Sequence, residues 1–322
     1  MLDLTVIIPT KNRAAKLAAT LECLCRQTLD AQHFEIVVVD NGSLDHTGDV
    51  LSQFGKRFPV WKCVHESVPG AAAARNRGVE VSSGKIMLFL DDDVLADSWL
   101  LEEHLKSHRS FPDSCVLGSV RFPWSSSSRR HTLLEQCLID HPELLQSFEF
   151  PDPENVPFLH FYTCNLSISE SLFKKVGGFD EAFTSSGFED VDFGYRLNLL
   201  GHHIVHNLRA SAMHDPSLSF AEFARRRRHA GFALGYLLEK HPEVFPAFFP
   251  SSHKYRRYVK LLLGRACWLL KSPLDQLSCK PSHTMARGLS RLYHWFFEYE
   301  FSKGFAHYQT KRVSPGSRSA VS

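Results

Sequence analysis

The sequence lacks the long apolar runs and paired cysteines that mark membrane spans and disulfide scaffolds. No stretch approaches the roughly 18 uninterrupted apolar residues that a membrane-spanning helix needs. The eight cysteines are scattered, and the closest two, Cys23 and Cys25, have neither redox nor zinc-motif spacing. The first apolar run, Leu4–Pro9, is too short for a secretory signal peptide. These absences predict a cytoplasmic protein with reduced, mostly buried thiols.

Acidic residues are scarce in the last third of the chain. Residues 1–214 contain 19 Lys+Arg and 28 Asp+Glu, whereas residues 215–322 contain 18 and 7. The later segment also has 18 of the 38 aromatic residues. Overall, the hydrophobic fraction of 43% and charged fraction of 22% are typical of a globular protein. We predict a catalytic domain at residues 1–215 and a basic, aromatic-rich helical tail at residues 216–322.

Short β-branched runs alternate with helix-length segments in the first hundred residues. The predicted strands are Leu4–Pro9, Phe34–Asp40, Val60–His65 and Lys85–Asp91. They are apolar throughout, as strands covered on both faces are. Helices are predicted between them, over residues 13–27, 45–54 and 70–81. This order predicts an α/β fold in which helices flank a mostly parallel sheet.

The later elements are less regular. A strand is predicted at Cys164–Ile168, followed by a short helix capped by Ser169. A further helix is predicted to start within the segment from Gly187 and to end at Leu200. A short strand pair is predicted to end at Asp215, and residues 125–130 are predicted to form a polar loop.

Polar side chains follow three of the predicted strands. These are residues 10–13, residues 40–43 and the triplet Asp91-Asp92-Asp93. Each cluster alone also fits a turn or a helix cap. However, ligands of such sheets bind beyond the carboxyl ends of the strands. Three polar strand ends at one edge therefore predict a ligand site.

The triplet predicts a divalent metal site. Adjacent carboxylates repel one another unless a cation lies between them. If the residues alternate along the backbone, Asp91 and Asp93 face one side and Asp92 the other. Oxygen ligands favour Mg²⁺ or Mn²⁺, and such ions commonly complete their shell with phosphates. The alternative is an exposed acidic turn that precedes a helix.

A second acidic cluster, Glu189-Asp190, lies at a predicted helix N-terminus. The helix dipole keeps carboxylates ionised there. One of them is a candidate for removing a proton from an alcohol, although a structural role in the first turn is equally compatible. Asp192 and Arg196 have the i,i+4 spacing of an ordinary pair on a helix surface.

Six motifs follow one another along residues 1–215: VIIPTKNR, VVVDNGSLDHT, PGAAAARNRG with KIMLFLDDDV, CNLSI with GGFDE, GFEDVDFGYRL and MHD. Their order resembles that of family 2 of the inverting glycosyltransferases, the nucleotide-diphospho-sugar transferases with a GT-A fold. The resemblance implies nucleotide or donor contacts for Pro9, Thr10, Arg13, Asp40, Ser43, Arg75, Asp91 and Asp92. It implies coordination of Mn²⁺ or Mg²⁺ by Asp91, Asp93 and His214. It implies a general base at Asp190 and contacts to acceptor or sugar hydroxyls from Glu189 and Asp192.

The resemblance also implies a reaction. A sugar would move from a nucleotide-diphosphate donor to a hydroxyl of a saccharide or lipid-linked acceptor, in glycan or glycolipid synthesis. Asp190, for which a near-normal pKa would suffice, would accept the proton. The Gln-x-x-Arg-Trp signature of processive synthases is absent, which predicts one transfer per encounter. Asn41 departs from the family, because many members have a second acid at this position.

A different enzyme class offers an alternative interpretation of the triplet. LFLDDDV also fits the Asp-x-Asp-x-Val strand end of haloacid-dehalogenase-like phosphatases, in which Asp91 would be the nucleophile. That motif normally follows the first strand of the core, whereas three predicted βα units precede it here. No motif supports binding of nucleic acid.

The basic tail leaves several partners open. Ser219–Glu222 has a capping-box pattern, and the helix that follows carries an apolar stripe and Arg225–Arg228. The segments His253–Lys271 and Leu289–Tyr308 are typical of helices that lie on an anionic membrane surface. Packing on the catalytic domain and homodimerisation are the alternatives. The tail also permits a lipid-surface binding protein with a vestigial transferase core.

Overall fold

The computed structural model describes residues 2–124, 131–145, 150–183, 187–216, 219–248, 278–279 and 284–313. Contacts divide the chain into two compact units. The first comprises residues 1–123, 149–184 and 189–216. The second comprises residues 124–148, 185–188 and 217–322. The second unit therefore takes two short segments from within the first two hundred residues.

The first unit is an α/β fold. Its strands are β1 Leu4–Thr10, β2 Phe34–Asp40, β3 Trp61–His65, β4 Ile86–Leu90, β5 Val94–Ala96, β6 Cys115–Arg121, β8 Asn165–Ser169 and β9 Ile204–His214. Its helices are α1 Ala14–Leu24, α2 Thr47–Phe54, α3 Ala71–Val81, α4 Leu100–Ser110, α6 Glu170–Val176 and α7 Glu189–Leu199. The predicted strands and helices of the first hundred residues are confirmed within a few residues at each end.

One eight-stranded sheet organises this unit, in the order β3-β2-β1-β4-β8-β6-β9-β5. The first four strands are parallel, as predicted. Strand β8 is antiparallel to both β4 and β6, and β5 is antiparallel to β9. The sheet is therefore mixed beyond β4. The helices flank it, which confirms the predicted fold class.

Alternating side chains of the central strands enter two apolar cores. Val6 and Ile8 pack with Leu17 and Leu21 of α1 on one face of the sheet. Ile7 packs on the other face, in a cluster that contains alanines of α3 and phenylalanines of α6 and α7. Because both faces are covered, the central strands are apolar at most positions. The polar exceptions Thr5 and Glu35 are buried, and Thr5 Oγ1 donates a hydrogen bond to Glu35 Oε1 at 2.7 Å.

The end of the first unit differs from the prediction. Residues 204–214 form one long strand, β9, instead of a strand pair. Its register with β6 shifts between two adjacent β6 residues: Gly118 lies opposite Asn207 and Ser119 opposite Ser211. The residues between these positions bulge, and Leu208 is 69% exposed there. This polar and exposed interruption explains why the sequence pattern resembles two strands.

The second unit is mainly helical, with α5 Leu133–Asp140, α8 Phe220–Lys240, α9 Phe245–Phe248 and α10 Thr284–Val313. A short pair of strands, β7 His131–Thr132 and β10 Ser278–Cys279, is antiparallel. The predicted capping box at the start of α8 is confirmed, because Ser219 and Glu222 exchange side-chain-to-backbone hydrogen bonds. The predicted polar loop at 125–130 and the basic segment at 253–271 lie outside the described residues.

Aromatic residues join α8 to α10. Phe220 contacts the rings of Tyr293, Phe296 and Phe297, at centroid distances of 4.7, 4.9 and 5.1 Å. These four side chains are buried. Part of the aromatic stripe that predicted an interfacial helix is thus used within the protein.

Two further expectations concern cysteines and membrane spans. Six cysteines in the described part of the chain have free thiols, and the pKa values of Cys23, Cys25 and Cys63 are raised by burial.

Among the helices whose residues are described, none is both long and apolar enough to cross a membrane.

Candidate active site

The acidic triplet lies in a tight turn between β4 and β5, where the amide of Val94 donates to the carbonyl of Asp91 at 3.2 Å. Strand β5 is antiparallel to β9, and Val94 lies opposite His214. The amide of Asp215 donates to the carbonyl of Asp93 at 2.9 Å. The sheet register therefore brings His214 to the triplet across more than a hundred residues of sequence.

Asp91, Asp93 and His214 offer ligand atoms that all lie within 4.8 Å of one another. Nε2 of His214 is 3.1 Å from Oδ1 of Asp93. That oxygen is buried, and among the described residues no donor makes a well-aligned hydrogen bond to it. Burial alone would raise the pKa of Asp93, but His214 and Arg13 outweigh it and lower the pKa to about 2. Two carboxylates and one imidazole, with this buried oxygen among them, fit a divalent metal ion such as Mn²⁺ or Mg²⁺.

Asp92 is buried beside this group but is not part of it. Its Oδ2 accepts a hydrogen bond from Thr10 Oγ1 at 2.8 Å, and its Oδ1 accepts one from Arg13 Nη1 at 2.8 Å. Burial raises its pKa to about 7, against the opposing effects of Arg13 and Thr10. Arg13 also reaches Asp93 through Nη2 at 2.5 Å. Thr10, Arg13 and Asp92 were all expected at the donor. In this structure Thr10 and Arg13 hold Asp92 in place, and Arg13 also holds Asp93.

The loops after β1 and β2 interlock beside the triplet. Thr10 and Asp40 are paired at the carboxyl ends of their strands, one residue beyond the pair of Pro9 and Val39. Oδ1 of Asp40 accepts from the amide of Ser43 at 2.9 Å. Oγ of Ser43 in turn accepts from the amide of Asn12 at 2.9 Å. Pro9, Asp40 and Ser43 are therefore together at one sheet edge, as three converging strand ends predict.

Arg75 of α3 joins the two acidic clusters. Its guanidinium is buried and contacts Glu189 Oε1 at 3.0 Å through Nη1 and Asp91 Oδ1 at 3.3 Å through Nη2. Its Nε is buried and has no hydrogen-bond partner among the residues that the structure describes. Arg75 was expected to approach the diphosphate or the sugar, which stays a prediction, and in this structure it lies between Glu189 and Asp91.

Asp190 is partly exposed at the start of α7, and its Oδ1 accepts from the amide of Val191 at 2.9 Å. Burial and the neighbouring Glu189 raise the pKa of Asp190, and Arg75 opposes them only in part. A near-normal pKa would suffice for a base, and the pKa of Asp190 is raised above that. The cause of the raised pKa is tertiary, because the sequence could not indicate that Asp190 would be partly buried beside Glu189.

Asp192 lies deeper in the protein than expected. Its side chain has no exposed surface and pairs with Arg196, whose Nε and Nη2 lie 2.9 and 2.8 Å from its Oδ2. Arg196 also donates to the carbonyls of Val176 and Gly178. Asp192 therefore helps to fasten α7 to the turn after α6. Its contact to an acceptor or sugar hydroxyl stays a prediction.

Two further residues lie beside the site, and the sequence did not mark either as a candidate site residue. The carbonyl of Cys164 accepts from the amide of Asp91 at 3.4 Å. Burial, Asp91 and Asp190 raise the pKa of the Cys164 thiol, and burial and Asp190 raise that of Tyr162. Both precede β8, whose antiparallel pairing with β4 sets Asn165 opposite Leu90. Only that register, which no local pattern encodes, brings them to the triplet.

Comparison with known families gives two matches. The model of glycosyl transferase family 2 matches residues 5–177. The model described as the N-terminal domain of galactosyltransferase matches residues 150–212. Together they cover every candidate site residue except His214.

Curated relatives are also glycosyltransferases. Validoxylamine A glucosyltransferase of Streptomyces hygroscopicus subsp. jinggangensis (strain 5008) is 32% identical over 273 residues, which are 76% of this chain and 63% of the relative. Chondroitin synthase of Pasteurella multocida (strain Pm70) is 25% identical over 288 residues, 79% of this chain and 29% of the relative. The chain thus spans about three fifths of the first relative and less of the second.

Solved structures share the fold. The mannosyltransferase PcManGT from Pyrobaculum calidifontis, in complex with GDP-Man and Mn²⁺, has a TM-score of 0.62 at 17% identity and covers 93% of this chain and 86% of its own. Residues 1–349 of S. aureus TarS have a TM-score of 0.53 at 16% identity and cover 97% and 91%. The family model over residues 5–177, which includes LFLDDDV, decides against the phosphatase interpretation of that motif. The chain belongs to glycosyl transferase family 2.

Proposed function

We propose that this chain transfers a sugar from a nucleotide-diphospho-sugar to an acceptor hydroxyl, with inversion at the anomeric carbon and with a divalent metal ion. One observation carries the proposal: the group of Asp91, Asp93 and His214 is joined through Arg75 to the acidic start of α7. Neighbours with GDP-Man, UDP and UDP-GlcNAc bound support a donor of this class.

Asp91, Asp93 and His214 would hold the metal ion, which when bound supplies Lewis-acid neutralisation of the leaving diphosphate. Arg13 and Thr10, which contact the triplet, fix the orientation of its carboxylates before the donor arrives. Asp40 and Ser43 would receive the nucleotide at the same sheet edge. Arg75 would release Asp91 or Glu189 in part as the donor's negative charge enters.

Asp190 would accept the proton of the attacking acceptor hydroxyl. It is partly exposed, whereas Glu189 and Asp192 are buried and paired with arginines. Its raised pKa makes it a stronger proton acceptor, because a base works best when its pKa approaches the operating pH. Attack from the face opposite the diphosphate would invert the anomeric configuration. Glu189 would orient Arg75, and Asp192 would keep α7 in place.

The test combines donor turnover with nucleotide binding. We expect Asp190→Asn to lower the rate of nucleotide release from the accepted nucleotide-sugar at least about 100-fold, the usual contribution of a general base. Binding of UDP or GDP with Mn²⁺ should stay within about twofold. The matched control is Asp113→Asn, an exposed carboxylate in the same unit. Loss of nucleotide binding in Asp190→Asn would make Asp190 a ligand and not the base.

His214→Ala tests the metal. The variant should require at least tenfold more Mn²⁺ for half-maximal nucleotide binding, because one of three ligands is removed. An unchanged metal titration would remove His214 from the site. Failure of every UDP- and GDP-sugar to bind the wild-type chain would overturn the proposed function itself.

We also propose that the basic tail attaches the protein to an anionic membrane surface. The support is compositional and comes chiefly from residues 253–271, which carry six Lys+Arg and no acid. Flotation with vesicles of anionic phospholipid should recover the protein at low salt and lose it at high salt. A protein that stays in the bottom fraction at low salt would contradict membrane attachment. A dimer measured by light scattering would favour homodimerisation through the tail instead.

A further inference from the structure

Asn41, the residue directly after β2, uses its whole side-chain amide on one loop. Its Nδ2 donates to the carbonyl oxygens of Glu66 at 2.9 Å and Val68 at 2.7 Å. Its Oδ1 accepts from the amide of Gly70 at 3.0 Å. Two donors and one acceptor therefore meet three backbone groups within five residues.

This loop, residues 66–70, runs beside Asp40. It starts where the amide of Glu66 donates to the carbonyl of Asp40 at 3.0 Å. It ends at Gly70, which has a φ of 134° and precedes the first residue of α3. Ser67, Val68 and Pro69 are exposed between these ends, and Val68 is 46% exposed. The apolar side chain of Val68 is therefore exposed to solvent near Asp40, the end of β2 that we assign to the nucleotide.

We propose that Asn41 is a positioning residue for the donor: it fixes loop 66–70 as a wall of the pocket that receives the nucleotide base beside Asp40. The inference rests on the proposed function. The three hydrogen bonds require an amide at this position. A carboxylate has acceptors only, so it could keep the contact to the Gly70 amide but would face the carbonyls of Glu66 and Val68 without a hydrogen atom between them.

The loop can be disturbed without moving Arg75. Asn76, the next residue of α3, donates to the carbonyl of Phe179 at 2.9 Å and accepts from its amide at 2.9 Å. We call the three hydrogen bonds of Asn41 to loop 66–70 the Asn41 clamp. The hydrogen bonds of Asn76 form a second clamp, which holds the middle of α3 to the turn before α7. Loss of the Asn41 clamp should therefore weaken donor binding while the catalytic arrangement stays intact. Uniform loss of binding raises KM and leaves kcat unchanged.

The experiment compares Asn41→Asp and Asn41→Ala with the wild-type chain. Asn198→Asp is the matched control, because it makes the same amide-to-carboxylate change at an exposed position of α7. Hydrogen–deuterium exchange of the ligand-free proteins should be at least fivefold faster in peptides covering residues 66–72 of both Asn41 variants. The dissociation constants of UDP and GDP with Mn²⁺ should rise about tenfold for whichever nucleotide binds the wild type. The donor KM should rise similarly, and kcat should stay within about twofold.

Each possible failure has a separate meaning. Unchanged exchange at residues 66–72 overturns the clamp whether or not the chain is a transferase. Faster exchange with unchanged nucleotide binding and KM overturns the role in donor positioning. A fall in kcat at constant KM also overturns it, because the effect would then have passed through Arg75. If neither nucleotide binds the wild type, the proposed function fails, and the positioning proposal that rests on it is overturned together with it, whatever exchange shows.

Discussion

Arg75 compensates two carboxylates that would otherwise be close together with little solvent. It is 5% exposed, Glu189 is equally buried, and Asp91 lies on its other side. Removing the cation leaves uncompensated negative charge, which typically costs about 3–5 kcal/mol when the pair is buried.

We predict that Arg75→Met lowers the free energy of unfolding by about 3 kcal/mol in urea denaturation. Adding Glu189→Gln should recover part of the loss, because it removes one of the unpaired charges. Equal stability of wild type and Arg75→Met would mean that the guanidinium is not needed to offset these acids.

Two buried histidines make stability depend on pH. Nδ1 of His104 and Nε2 of His108 both lie 2.8 Å from Oγ of Ser167. Burial lowers the pKa of His104 to about 4 and that of His108 to about 3. An unfolded histidine has a pKa of about 6.5, so the unfolded chain takes up protons that the folded protein does not. The free energy of unfolding that depends on keeping both histidines neutral is therefore highest above about pH 6.5, and it falls as the pH falls towards 3.

We predict that His108→Gln gains stability relative to wild type by up to about 1.4 kcal/mol for each pH unit between about 6 and 4. Urea denaturation at several pH values measures the difference. His46→Gln, an exchange at an exposed side chain, is the control. A parallel pH dependence of His108→Gln and wild type would show that His108 binds its proton in the folded protein too.

At the scale of elements, two glycines let α8 and α10 approach closely. A Cβ on Gly231 of α8 would overlap the carbonyl oxygen of Phe301, and one on Gly304 of α10 would overlap that of Arg228. Side chains beside the crossing complete the contact, with Arg227 bonded to Glu298 at 2.9 Å. Backbone meets backbone here, so neither helix can move aside cheaply.

We predict that Gly304→Ala destabilises the helix pair by about 1–3 kcal/mol, the usual cost of overpacking. Gly288 of the same helix is the control, since a Cβ there meets no atom within 4 Å among the described residues. Gly288→Ala should stabilise by up to about 1 kcal/mol through helix propensity. Thermal unfolding followed by circular dichroism should show a lower Tm for Gly304→Ala and a higher Tm for Gly288→Ala. Shifts of Tm in the same direction for both variants would contradict the close crossing of the helices.

For the whole molecule, metal and nucleotide should stabilise the fold together. A ligand at 100 times its dissociation constant adds about 2.7 kcal/mol to the free energy of unfolding. For a chain of this size that raises Tm by several degrees. We predict this shift for the accepted nucleotide-sugar with Mn²⁺ and a clearly smaller one after EDTA treatment. Coupling is reciprocal, so the nucleotide must also tighten Mn²⁺ binding, and independent binding of the two would contradict a shared site.

Some basic residues of the tail are paired with acids of the same tail, so these pairs add nothing to its net charge. In the tail, Arg227 pairs with Glu298, and Arg228 contacts the buried Glu300. Two of the four consecutive arginines are thus matched by acids that lie about 70 positions later. Arg225 and Arg226 are exposed. Linear charge counting could not distinguish these pairs, because it has no information on which helices meet.

The sequence by itself determined the βα order, the convergence of polar strand ends and the family. Those features depend on local patterns: apolar runs, turn residues and motifs such as LFLDDDV. Only the tertiary structure decided which carboxylates face one another. Asp93 became a strongly acidic neighbour of His214, Asp190 a carboxylate with a raised pKa, and Asp192 an enclosed partner of Arg196. Burial and long-range register set these differences, and neither is encoded within a short window of residues.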